Sequence, residues 1–182
     1  MDLTNKIETK RLILRLCKLD DFDFFIEIIN DDLVSENIKY FISQIDLKKP
    51  KFLFQSIIDS LKTPDPILLF IIIKKDMGDC IGSCGLKFLP DHNEAICFYS
   101  LLSRYRGFGF AIEAMKKLIE YGFLELKLSK LSTYTIPKIS VIWKVAERVG
   151  MKYLGHIQIS DCQSKLMYFS IEKNEFDVQY FI

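Results

Sequence analysis

Residues 67–73, "ILLFIII", constrain this chain more than any other stretch. Seven apolar residues in a row leave no polar face at either a strand or a helix period. The run is far shorter than the ~20 residues a membrane-spanning helix needs. Bounded by "TPDP" before it and "KKDMGD" after it, it reads as a central strand covered on both faces. A strand of that kind demands a sheet with helices on both sides, and the rest of the chain has to supply them.

The neighbouring segments do so. "RLILRL" (11–16) alternates arginine with leucine and predicts a half-buried strand. Asp20 and Asp21 then offer N-cap oxygens to a helix whose apolar positions are Phe22, Phe25, Ile26 and Ile29. Phe54, Ile57, Ile58 and Leu61 repeat the spacing in a second helix. After the central strand, "DMGD" turns the chain into "CIGSCGLKF", and "PDHN" turns it again into "EAICFYSLL". Ala111, Ala114, Met115, Leu118 and Gly122 make one stripe of a third helix, with Glu113 and Lys117 spaced to pair on its surface. "KLSTYTI" predicts a strand. A fourth helix follows Pro137, with Val141, Val145 and Val149 inward and Gly150 at its end. "YLGHIQI" and "KLMYFSIEK" close the chain as strands. The order predicts an α+β fold, one mixed sheet flanked by about four helices, in a single domain over 1–182.

Charge and cysteine usage narrow the function. A net charge of +1 leaves no basic excess for neutralising many phosphates, so a dedicated nucleic-acid binder is excluded. The opening "MDLTNKIETKRL" holds no apolar h-region. Cys17, Cys80, Cys84, Cys97 and Cys162 are odd in number, scattered and mostly in apolar company, as in a reducing compartment. The expectation is a cytoplasmic protein, without membrane or nucleic-acid partners, acting as a monomer or homodimer. His92 and His156 stand alone, and Cys80 with Cys84 has no second pair, so no metal is expected.

The chemistry concentrates at "RYRGFGFAIEAMKKL" (104–118), a loop between a strand and a helix. A helix N-terminus presents unpaired N–H groups and the positive end of its dipole, a site suited to phosphate. Gly107 and Gly109 remove side chains where backbone would approach a ligand, and Arg104 and Arg106 stand at the rim. The same glycines also suit a turn made for conformation only. No Gly-Lys-Ser/Thr follows, so this is not a P-loop, and Ile112 takes the third glycine of a dinucleotide fingerprint.

"RGFGFA" (106–111) resembles the [Q/R]-x-x-G-x-[G/A] pyrophosphate loop of the GNAT superfamily of N-acetyltransferases. "LLSRYRGFGFAIEAMKKLIEYGF" is similar to the corresponding segment of the branch that acetylates ribosomal-protein N-termini. "IETKRLILRLCKLDDFDFF" and "WKVAERVGMKYLG" resemble that branch's opening and closing motifs, in register. The resemblance implies a sheet splayed between its fourth and fifth strands, with acetyl-CoA in the split. It implies that the backbone of Gly107, Phe108, Gly109, Phe110, Ala111 and Ile112, next to Arg106, holds the pyrophosphate. Backbone groups of Tyr99, Ser100 and Leu101 would pair with pantetheine and the acetyl carbonyl. The implied acceptor is a primary amine, a protein N-terminus or a small amine.

Several positions depart from the family pattern. Ile139 and Ile142 stand where relatives often carry Asn and Ser, and Ala146 where many place a tyrosine that protonates the departing thiolate. Phe98 replaces a usual glycine, and Met151 a phenylalanine. Direct transfer still needs a proton acceptor and a proton donor. The candidates are Glu94 as base, Tyr134 for either step and Ser140 as donor. Glu94 lies five residues up the strand from Tyr99, ~16 Å away, so its use requires a bulge or bridging waters. Trp143 reads as packing on the helix face or as a border of the acceptor groove. The departures leave an alternative, an acyl-CoA-binding sensor or interaction protein with impaired catalysis. They also leave a GNAT fold that no longer binds CoA, its split filled by Trp143 or Phe98.

Overall fold

The computed structural model describes residues 4–31, 49–91, 93–138, 140–158 and 165–176, with Ser140 and Val141 described for backbone only. Asp32, His92, Ile139, Cys162 and the side chain of Ser140 therefore lie outside the described residues. The strands are β1 (Lys6–Glu8), β2 (Leu12–Leu16), β3 (Ile67–Lys74), β4 (Cys80–Phe88), β5 (Glu94–Leu101), β6 (Lys130–Thr135), β7 (Lys152–Ile157) and β8 (Leu166–Glu172). The helices are α1 (Phe22–Ile29), α2 (Pro50–Ser60), α3 (Phe110–Leu124) and α4 (Ser140–Arg148). The strands form one sheet in the order β1-β2-β3-β4-β5-β6-β8-β7, every neighbouring pair antiparallel except β5 with β6. The predicted mixed α/β fold is the one observed, with the short edge strand β1 added.

The apolar run takes its central place. On β3, Leu68, Phe70 and Ile72 pack into a core with Ala114, Met115 and Leu118 of α3, Ala146 of α4 and Val149 just past its end. Leu69 and Ile71 point the other way, toward Phe25 and Ile29 of α1 and Leu53, Phe54 and Ile57 of α2. The Phe54 ring lies 5.4 Å from Phe22 and 5.0 Å from Phe25, which locks α1 to α2. Gly150, with φ +87°, ends α4, its N–H donating to Glu147 O while Met151 N–H reaches Ala146 O.

Two local expectations are corrected. Asp21 makes no side-chain cap to α1; its carboxylate accepts both Arg15 Nη atoms (2.9 and 2.6 Å) and Lys18 N–H (2.7 Å). A bidentate charged pair outcompetes a neutral cap. Glu113 does not pair with Lys117, which bonds Glu120 instead, because Glu113 is claimed by Thr9 and Arg11 at the start of β2.

The parallel β5–β6 pair positions everything that follows. Register runs Glu94↔Lys130, Ala95↔Leu131 and Ile96↔Ser132, and stops there. Beyond it the strands part, so from Cys97 to Leu101 the β6-facing edge of β5 has no strand partner among the described residues. This is the splay expected between the fourth and fifth long strands.

A candidate acetyl-CoA site at the split

The chain leaves β5 through a 3-10 turn (Ser103–Tyr105) and enters α3 at Gly109. Gly107 has φ +85° and Gly109 φ +78°, left-handed conformations that L side chains rarely adopt. The first helical bond of α3 runs from Glu113 N–H to Gly109 O (3.1 Å). The amides of residues 107–112 donate to no acceptor among the described residues. A Cβ on Gly107 would meet nothing within 4 Å, so the loop surface there is open. Consecutive free N–H groups at the positive end of a 15-residue helix form a receptor for an anion.

Both arginines of the loop are used on its architecture. Arg106 donates its amide to Ser103 O (3.2 Å) and its Nε to Leu101 O (3.0 Å), and its Nη2 pairs with Asp31. Asp31, just past the end of α1, also accepts the Ser103 amide (2.9 Å) and hydroxyl (2.6 Å). Arg104 pairs with Glu27 of α1 at 2.9 Å and stacks over the Tyr105 ring. The loop is thus clamped to the helix on the opposite face of the sheet. Burial works against the Asp31 carboxylate, but the Ser103 and Arg106 bonds outweigh it and hold its pKa below the ordinary range. A depressed carboxylate stabilises above its unfolded pKa, and that stabilisation is lost as pH falls through the folded value. Asp31→Asn is expected to lower stability by about 1–3 kcal/mol at pH 7. The gap to wild type should narrow toward pH 3, as denaturant titrations at the two pH values would show.

Side chains alternate along β5 and separate two faces of the split. Phe98 packs with the α1/α2 core, and Ser100 Oγ bonds Ser83 Oγ (2.8 Å). Tyr99 packs with the α3/α4 core. There it lines a cleft with Thr133 and Thr135 of β6, Ile142 and Ala146 of α4, and Met151. The Thr135 hydroxyl is buried in this cleft without a hydrogen-bond partner among the described residues. A buried orphan hydroxyl marks a place where a polar ligand group fits. Burial pushes the Tyr99 phenol well above its ordinary pKa, so it is neutral at physiological pH. Trp143 and Phe98 do not line this cleft.

The sequence-derived candidates are not all brought together. Glu94 sits at the closed end of the split, 3.5 Å from Lys130. β4 and β5 pair from Gly82↔Leu101 to Phe88↔Ala95 without a register shift, so no bulge moves Glu94 toward Tyr99. Tyr134 stacks on Tyr168 (5.2 Å, 20°) and is half-buried, with its pKa raised by burial and by Tyr168. Of the three cofactor-strand residues, Leu101 has its carbonyl engaged by Arg106. Trp143 packs against the core, and His156 bonds the Tyr153 hydroxyl (2.7 Å) on the outer edge strand β7. Among the described residues no group of three His, Cys, Asp or Glu is placed to hold a metal ion, and no helix is long and apolar enough to cross a membrane. Burial pushes the Cys17 and Cys97 thiols up to about 12, which removes them as nucleophiles at neutral pH. Sequence reasoning missed the Tyr99 side chain, Thr135, Asp31 and Arg11. Tyr99 was legible through strand alternation, whereas the others depend on tertiary placement.

The acetyltransferase (GNAT) domain family matches residues 11–152. The chain is 34% identical over 133 residues to "uncharacterized N-acetyltransferase p20" of Bacillus licheniformis, covering 71% of this chain and 72% of that one. Its fold is similar to that of RimL, a ribosomal L7/L12 alpha-N-protein acetyltransferase in complex with coenzyme A. That match has a TM-score of 0.76 at 11% identity, over 92% of this chain and 97% of that one. It is also similar to the spermidine/spermine N-acetyltransferase SpeG of Vibrio cholerae, with a TM-score of 0.71 at 16% identity, over 91% and 94% of the two chains.

Proposed function

The chain belongs to the GNAT acetyltransferase family, and on that premise we propose that it moves an acetyl group from acetyl-CoA directly to a primary amine. The observation that carries this is the run of free amides over residues 107–112 beside an opened β5–β6 edge. The cradle takes the pyrophosphate, the split takes the pantetheine arm, and the orphan Thr135 hydroxyl meets a polar group of that arm. The free β5 edge near Tyr99 and Ser100 offers an N–H to the acetyl oxygen, where negative charge develops. The amine lone pair attacks the carbonyl carbon and loses its proton toward water. The C–S bond then breaks and the thiolate takes up a proton. The buried thiols of Cys17, Cys84 and Cys97 favour this direct route over an acyl-enzyme formed on them.

Tyr99 is the proposed donor to the thiolate. It faces the same cleft as Ala146, the position where relatives carry their tyrosine, and it holds its proton at neutral pH. Tyr134, neutral for the same reason, is the candidate on the acceptor side of the split. The acceptor is a protein N-terminal amine or a small amine. Glu27 and Asp31 of the α1 region are already paired with arginines, which weighs against a polycation held by those acids.

The test is thiol release from acetyl-CoA with a panel of N-terminal peptides, amino acids and polyamines. Turnover with at least one amine is expected, and Tyr99→Phe should lower that turnover roughly 10²- to 10³-fold. Unchanged turnover in Tyr99→Phe removes the donor assignment. Tight acetyl-CoA binding with no turnover for any amine would favour a sensor, since Ile142 and Ala146 line the cleft without polar groups.

A further inference from the structure

The start of β2 reaches the candidate pyrophosphate loop through one side chain. Arg11 donates its amide to Glu113 Oε1 (2.8 Å) and its Nε to Glu113 Oε2 (2.5 Å). Its Nη1 donates to the carbonyl of Phe108 (3.0 Å), and the guanidinium lies 4.6 Å from the centroid of the Phe110 ring. Glu113 is held in turn by the Thr9 hydroxyl (2.6 Å), and the Arg11 carbonyl is fixed by Lys75 N–H (2.9 Å). Burial opposes the Glu113 carboxylate, yet these donors keep it ionised. Of the six loop amides, that of Gly109 belongs to the peptide that Arg11 grips, and those of Phe110, Ala111 and Ile112 follow it.

From this network we propose that Arg11 is a positioning residue for the cofactor's pyrophosphate, acting through the Phe108–Gly109 peptide. In a trans peptide the C=O and the following N–H point in opposite directions. Arg11 holds the Phe108 carbonyl toward β2, so the Gly109 N–H points away from β2, on the side where it has no acceptor among the described residues. Gly109 needs φ +78° to sustain that orientation. Without the grip, the peptide is free to rotate and turn its carbonyl into the cradle, where it would repel phosphate oxygens. The planar fork of arginine satisfies a carboxylate and a carbonyl together, which the single ammonium of lysine cannot do with the same geometry. The carboxylate, on the first turn of α3, fixes the fork relative to the helix N-terminus itself.

This inference rests on the acetyl-CoA reading of the loop, so wild-type binding is measured first. Wild-type protein that fails to bind acetyl-CoA overturns that reading and this one with it, before any substitution is made. Given binding, Arg11→Met keeps the aliphatic stem over Phe110 and loses the fork. It is expected to raise the calorimetric Kd for acetyl-CoA roughly 10- to 100-fold. S-acetylpantetheine, the same thioester without a pyrophosphate, should bind wild type and variant alike at millimolar concentration. Arg11→Lys is expected to recover only part of the loss. Glu113→Gln, which leaves the fork in place but loosens it, should raise the same Kd several-fold and covers the case in which Arg11→Met does not fold. An acetyl-CoA Kd within about twofold of wild type in the folded variants contradicts the proposal. So does an equal loss for both ligands, which would mark Arg11 as structural only.

Discussion

Gly109→Val is expected to weaken acetyl-CoA binding by about two orders of magnitude or more while leaving a cooperative fold. The residue sits at φ +78°, where a β-branched side chain is strongly disfavoured, so the loop must leave its present path. A Cβ there would also lie 3.6 Å from Arg11 Nη2, and the γ-methyls would crowd the guanidinium that holds the Phe108 carbonyl. Both effects turn the free amides away from a common focus. Nothing in the hydrophobic core touches Gly109, so thermal unfolding should shift by only a few degrees, the equivalent of about 1–2 kcal/mol. Calorimetric titration paired with a melting curve separates the two. Wild-type affinity in the variant would mean that the glycine serves the turn and not a ligand.

Gly85→Ala is expected to destabilise the protein by about 3 kcal/mol. An added Cβ would stand 2.3 Å from the Leu68 carbonyl and 2.4 Å from the Phe98 ring. The carbonyl belongs to β3, whose position is fixed by pairing on both sides, and it cannot yield without disturbing the register Leu69↔Gly85. Gly78→Ala is the control, because Gly78 has φ +74° with open space around its Cβ position and isolates the conformational penalty of about 1–2 kcal/mol. Urea unfolding of the three proteins decides the matter. A Gly85→Ala stability loss no larger than the control's would show that the β3–β4 approach relaxes. The Phe98 ring fills the space above Gly85 on the α1/α2 side, and so this bulky residue is accommodated by a glycine one strand away.

That pairing shows what the sequence could and could not disclose. Phe98 stood out in the chain as a departure, yet its compensating partner is 13 residues distant and becomes visible only when β4 and β5 align Gly85↔Phe98. Elements with long periodic signals were legible: the two-sided apolar run of β3, the α3 stripe, and Gly150 as the end of α4. The loop glycines were legible because their positive φ is a local requirement. Asp21 and Glu113 were not, because stronger partners displaced the cap and the helical pair that their positions suggested, and Asp31 and Arg11 were not, because their partners lie 72 or more residues away. Glu113 with Lys117 at helical spacing offers a few tenths of a kcal/mol, whereas the bonds to Thr9 and Arg11 combine charge, burial and two backbone segments. The side chain of Tyr99 follows from simple alternation once the split is known, since Phe98 and Ser100 must face the opposite way.

If the amides over residues 107–112 and the parted β5–β6 edge together form a working acetyl-CoA site, the purified protein binds acetyl-CoA, and CoA beside it, in a calorimetric titration. Saturable one-to-one binding of both, at micromolar Kd or tighter, is the expected result. Absence of heat with either ligand at millimolar concentration would contradict it and reduce Gly107 and Gly109 to a turn that feeds a helix.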